Sequence, residues 1–130
     1  MRLLAAFLLA AIQITSVNWK DAPPSMPKGT RIAVLEGDPK QAGMFTIRLS
    51  VPKGSEIAPH WHPRAERVTV LSGKVTVAFG QVFDKAKGGK TFTAGGFYVN
   101  EPEAAHYLWF DEDTVLQLTC EGPWELHYLQ

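Results

Sequence analysis

A chain of 130 residues with 13 Lys+Arg against 13 Asp+Glu carries no net charge, which removes the electrostatic case for binding nucleic acid or an anionic membrane surface. The length suffices for one domain whose core needs no disulfide staples. The single cysteine, Cys120, excludes an intramolecular disulfide and a Cys-rich zinc site.

Met1-Arg2 and the apolar stretch from Leu3 to Ile14, broken only by Gln13, open the chain. A bilayer-spanning helix takes about 20 apolar residues, so this stretch is too short to span and fits the hydrophobic region of a secretory leader. Cleavage is expected after Ile14-Thr15-Ser16, just before Val17. The organisation read from the sequence is therefore a signal peptide over 1–16, a Pro-rich tether over 17–29 that includes DAPPSMPKG, and a β domain over 30–130. The mature protein is expected to be exported, periplasmic or secreted, with no membrane association once the leader is removed. In such a compartment a lone thiol is tolerated when buried, and Cys120 sits in the alternating run VLQLTCEG, where it is read as a core residue.

From Thr30 onward, short apolar runs alternate with turn residues every eight to twelve positions. Strands are predicted over 31–36 (RIAVLE), 45–51 (FTIRLSV), 55–60, 64–71, 74–79, 90–93, 97–99, 104–110, 114–120 and 124–128. Leu71-Ser72-Gly73-Lys74 reads as a two-residue hairpin turn with Gly73 at positive φ. Residues 81–90, with DKAKGG, read as an exposed hairpin loop. No segment beyond the leader sustains a 3.6-residue period. About ten short strands point to an all-β, closed or sandwiched antiparallel domain, and sheet edges or faces of that kind are compatible with a homodimer.

The segment GSEIAPHWHPRAERVTVLSG, from Gly54 to Gly73, carries the chemistry. His60 and His62, two apart on an extended strand, project from one face. Glu66 reaches the same face if extension persists, or swings back to it across the Pro63 kink. Two imidazoles and a carboxylate suit a divalent transition metal, and His106 is the candidate for the second half of the site. His127 on the last strand reads as a surface or packing histidine.

These residues resemble the cupin superfamily, small jelly-roll β-barrels. The first cupin motif is a glycine, five residues, His-x-His, three or four residues, Glu, six residues and a glycine; Gly54, His60, His62, Glu66 and Gly73 match it throughout. The second motif aligns on Gly95 and His106, with Glu101, Glu103 and Phe110 where proline, glycine and asparagine are usual. The resemblance implies a single-domain jelly-roll barrel in which His60, His62, Glu66 and His106 hold iron, manganese, nickel, copper or zinc. It is greatest to small exported single-domain cupins.

Four ligands on an octahedral ion leave two positions open, whereas a structural zinc site would be tetrahedral and closed. The leading expectation is a metal-dependent enzyme on a small organic molecule, with oxygenation of a bidentate enol or diol the first reaction class and Glu66 also shifting protons. The alternative is a non-catalytic module that binds or senses a small ligand or a metal. Glu101 and Glu103 read as an exposed pair at the barrel mouth rather than a general base. Trp61, Tyr98, Tyr107, Trp109 and Phe110 are the candidates from which the cavity wall is drawn.

Overall fold

In the computed structural model, which describes residues 14–129, period-2 alternation sorts the long strands into an apolar inner face and a more polar outer one. The expected leader lies outside the described residues as far as residue 13. In chain order the strands are β1 (Lys20–Asp21), β2 (Arg31–Glu36), β3 (Gly43–Val51), β4 (Glu56–Trp61), β5 (Glu66–Ser72) and β6 (Lys74–Phe79). A single turn of 3₁₀-helix, Lys85–Lys87, precedes β7 (Lys90–Thr93), β8 (Phe97–Asn100), β9 (His106–Phe110), β10 (Thr114–Gly122) and β11 (His127–Tyr128). They form two antiparallel sheets, ordered β1-β2-β3-β10-β5-β8 and β11-β4-β9-β6-β7. This is the jelly-roll expected from the sequence, with two facing sheets in place of one continuously hydrogen-bonded barrel.

The inner face of the larger sheet is built by cross-strand pairs. Phe45, Ile47 and Leu49 of β3 stand opposite Cys120, Leu118 and Leu116 of β10, and Val68 and Val70 of β5 continue the row. The smaller sheet answers with Ile57, Val75, Val77, Leu108 and Phe110. Each such side chain, fully buried, stabilises the fold by roughly 1.5–3 kcal/mol. Between them on the outer face, the Thr46 and Thr119 hydroxyls lie 2.9 Å apart and Arg48 Nε donates to Gln117 Oε1 at 3.0 Å. Cys120 is buried as expected, and burial pushes its thiol up to about 11, so it is protonated and packs as a small apolar group.

The turn at Gly73 corrects the sequence reading. β5 and β6 are consecutive but lie in different sheets, so Leu71-Ser72-Gly73-Lys74 is a corner between sheets and not a hairpin. Gly73 does take a positive φ of 83°, for a tertiary reason: a Cβ there would sit 2.2 Å from Asp113 O and 2.7 Å from Thr114 Cα. The buried Thr114 locks the corner, its hydroxyl accepting Lys74 N–H at 3.0 Å.

The loop expected over 81–90 closes a hairpin between β6 and β7 and is exposed except at Phe83 and Asp84. It folds back over the outer face of the smaller sheet, where Phe83 covers Tyr107 and Trp109, and Tyr107 donates to Asp84 O at 2.9 Å. β9 is consequently buried on both faces. Within 17–29, Lys20 and Asp21 pair with Ile32 and Arg31, and Met26 is buried against the core.

Gly73→Ala combines a left-handed backbone with a Cβ clash against backbone that cannot yield. It is expected to cost on the order of 2–3 kcal/mol, read as a lowered urea midpoint at unchanged slope.

Candidate metal centre

The four residues singled out in the sequence line one cavity, where the three histidines form a cluster and Glu66 adjoins it at His62. His60, near the end of β4, and His106, at the start of β9, are direct cross-strand partners with ring centroids 4.3 Å apart. Ile57 and His60 both face inward although they are three positions apart, which strict period-2 alternation forbids. A register shift between Ile57 and His60 resolves this, a bulge that turns the imidazole inward. His62 lies just beyond β4, with its ring centroid 4.9 Å from that of His60 and 5.2 Å from that of His106. Glu66 reaches them from the opposite sheet: the chain bends across Pro63 and Arg64, and β5 begins at Glu66.

All four side chains are buried. The three histidines can each offer a ring nitrogen within 4.8 Å of the others. Their Nδ1 atoms are already engaged with backbone carbonyls: His60 with Ala58 O at 2.7 Å, His62 with Glu125 O at 2.8 Å, His106 with Ala104 O at 2.9 Å. A carbonyl only accepts, so Nδ1 carries the proton and the neutral ring presents an Nε2 lone pair. The Nε2 atoms of His62 and His106 are buried without a hydrogen-bond partner. His62 Nε2 lies 2.9 Å from Glu66 Oε1, too poorly aligned for a hydrogen bond, as two acceptors facing a common point would be.

Electrostatics hold the cluster ready for a cation. Burial, reinforced by His106 and then His62, pushes His60 down to about 4, and burial also lowers His106. Burial would raise Glu66, but it is outweighed by the His62 contact and by donors from Trp124 and Asn100, which hold it below the usual carboxylate range. A buried carboxylate beside two imidazoles that burial keeps neutral is costly inside an apolar sandwich, and a divalent ion would offset it. The donor set therefore fits a divalent transition metal, with His60, His62 and His106 as the groups that would hold it. Glu66 Oε1, beside His62 but outside the three-nitrogen group, is the adjoining carboxylate oxygen.

Two residues of the site were not anticipated from the sequence. Asn100 is the cross-strand partner of Glu66 and donates Nδ2–H to Oε1 at 3.1 Å; Trp124 donates its indole N–H to Oε2 at 2.7 Å. No spacing rule links either to Glu66, because their proximity comes from β5–β8 register and from the path of the C-terminal segment. Of the aromatic candidates, Tyr98 lines the cavity beside the cluster, whereas Tyr107 and Trp109 face outward under Phe83 and Phe110 packs in the core. Trp61 turns away and stacks on His127 at 4.2 Å, leaving His127 outside the cluster. Glu101 and Glu103 are exposed. Glu103 has a φ of 65° and donates its N–H to His62 O at 2.8 Å, so the position where the second motif carries glycine keeps the glycine-like backbone with a carboxylate on it.

The chain belongs to the family of the ChrR cupin-like domain, whose profile matches residues 9–125, and hence to the cupin superfamily. No match was found among curated proteins. Among solved structures, a putative acetylacetone dioxygenase from Methylibium petroleiphilum is 26% identical, covering 95% of this chain and 85% of its own at a TM-score of 0.69. An acetylacetone dioxygenase from Acinetobacter johnsonii is 21% identical over 93% of this chain and 80% of its own, with a TM-score of 0.71. The polyketide cyclase RemF from Streptomyces resistomycificus shares the fold at a TM-score of 0.72 and 12% identity, over 95% of this chain and 87% of its own.

His60→Ala or His106→Ala should abolish stoichiometric metal in elemental analysis, and His127→Ala should keep it. Full occupancy in His106→Ala would remove the second half of the site.

The metal-free protein should also lose stability on acidification. His60 titrates near 4 folded and near 6.5 unfolded. Between those values only the unfolded chain takes the proton, so the contribution is complete above pH 6.5 and is lost as pH falls toward 4. His60 alone accounts for on the order of 2 kcal/mol between pH 7 and pH 4.5. His106 acts in the same sense, and the depressed Glu66 adds its loss below its ordinary value of 4.5. Urea midpoints at pH 7 and 4.5 measure the effect; equal midpoints would contradict it.

Proposed function

We propose that the protein is a metal-dependent enzyme of the oxygenase type, acting on a small organic molecule that presents two neighbouring oxygen donors, an enol, a diol or a β-diketone. One observation carries this reading: three buried imidazoles have their Nδ1 protons committed to carbonyls and can converge their other nitrogens on one point beside a buried carboxylate. A divalent transition metal held there would supply Lewis acidity and, if redox-active, electron exchange with dioxygen. The chain's own part is to keep the imidazoles neutral and oriented, to keep bulk water out with the surrounding aliphatic wall, and to hold Glu66 ionised as a proton acceptor at Oε1. The acetylacetone dioxygenases among the similar structures support a β-diketone as the first substrate to try.

The size of the cavity favours a second reading. It measures about 40 Å³, room for an ion and a few small ligand atoms, and Trp124 and Leu126 separate it from a groove of about 750 Å³ outside. A site that admits so little suits a non-catalytic module that senses a metal or a very small ligand.

The two readings separate in one experiment. Protein loaded in turn with iron, manganese, nickel, copper or zinc is incubated with β-diketones and catechol-type diols under air. The enzyme reading expects an oxygenated or cleaved product by mass spectrometry, with turnover reduced at least about a hundredfold in Glu66→Ala. Tight binding of metal or diketone with every candidate recovered unchanged would favour the binding module.

A further inference from the structure

We propose that Trp124 is a positioning residue that makes Glu66 a one-oxygen ligand and so keeps two positions of the ion open. The inference rests on the metal-site reading above and concerns what the chain does to its own carboxylate. The two oxygens of Glu66 stand in different surroundings. Oε1 is the one 2.9 Å from His62 Nε2, and it also accepts Asn100 Nδ2–H at 3.1 Å. Oε2 accepts the indole N–H of Trp124 at 2.7 Å, the shorter of the two hydrogen bonds. A charge-assisted bond of that length inside a low-dielectric site is among the strong ones, and the indole has no other hydrogen to give.

The donor is itself held in place. Trp124 N–H bonds to Pro39 O at 2.7 Å, and the ring packs on Phe45 at a centroid separation of 6.2 Å. Lys or Arg could offer a donor that swings away; an indole anchored through both backbone and ring cannot. Oε2 is therefore tied down, and Glu66 can turn only Oε1 toward the three imidazoles. Three imidazoles and one oxygen occupy four positions of an octahedral ion, which leaves two for the two oxygens of a chelating ligand. Without the indole N–H, Oε2 is free to rotate in and clasp the ion, taking one of those two positions.

Trp124→Phe keeps the ring packing and removes the N–H. Wild type and variant are loaded with cobalt(II), and three quantities are read: ions per chain, the visible absorption spectrum, and the Kd for acetylacetone. One ion per chain is expected in both proteins. The variant should show a changed cobalt spectrum and bind acetylacetone about tenfold or more weakly, the scale of a lost hydrogen bond to a charged group. In a Glu66→Ala background the same Trp124→Phe change should have no further effect. An unchanged spectrum and Kd in the variant, or an equal effect in the Glu66→Ala background, would overturn the proposal. A wild type that binds no cobalt would instead overturn the metal reading and this proposal with it. If Trp124→Phe does not fold, the indole N–H resonance of the wild type decides. It should be hydrogen-bonded and protected from exchange both metal-free and loaded with zinc, and a freely exchanging indole N–H in the zinc-loaded protein would overturn the assignment.

Discussion

Because a carbonyl oxygen can only accept, the carbonyls of Ala58, Ala104 and Glu125 oblige His60, His106 and His62 to carry their ring proton on Nδ1. The rest of the site depends on this constraint. With that tautomer set and the rings buried, the remaining lone pairs have nowhere to go but toward one another, and two of the three find no partner in the protein. An interior that leaves buried acceptors unsatisfied and places a carboxylate beside them is costly unless something positive completes it. A divalent ion would complete it, where the described residues offer His62 Nε2 and His106 Nε2 no hydrogen-bond partner.

The fold serves this arrangement by bringing two sheets against each other with their polar residues at one end. β4 contributes His60 and β9 His106 from the smaller sheet, His62 follows directly after β4, and β5 contributes Glu66 from the larger, so the site spans the sandwich. The two motif glycines bracket the segment that crosses between sheets. Gly54 precedes β4 at a φ of 86°, and Gly73 turns the corner after β5 where only a hydrogen fits. The C-terminal segment closes the end: Glu125 O orients His62, Trp124 holds Glu66, and Leu126 shares the cavity wall. The histidine cluster and the C-terminal closure are thus joined by direct contacts.

Much of the architecture was legible because alternation reports burial directly. The runs RIAVLE and KVTVAF formed strands at the expected bounds, Arg31–Glu36 and Lys74–Phe79, and His-x-His brought two imidazoles to one face. Alternation says nothing about which strands pair. The Leu71–Lys74 turn was therefore misread as a hairpin, since a positive-φ glycine between two strands looks the same whether the chain doubles back or changes sheet. The bulge between Ile57 and His60 was also invisible, being a property of the pairing with β9.

What the sequence determined by itself was the β class and the set of candidate ligand residues, because residue identity and short-range spacing are local quantities. It carried His60, His62, Glu66 and His106 as candidates, and it placed His127 apart from them. Only the tertiary structure decided how those groups are held. Asn100 and Trp124 are 34 and 58 residues from the carboxylate they bind, and the carbonyls that set the imidazole tautomers belong to backbone whose position no side chain announces. Hydrogen bonds of that kind exist only once strand register and the C-terminal path are settled, so the groups that hold the site, unlike its ligands, could be read only from the folded chain.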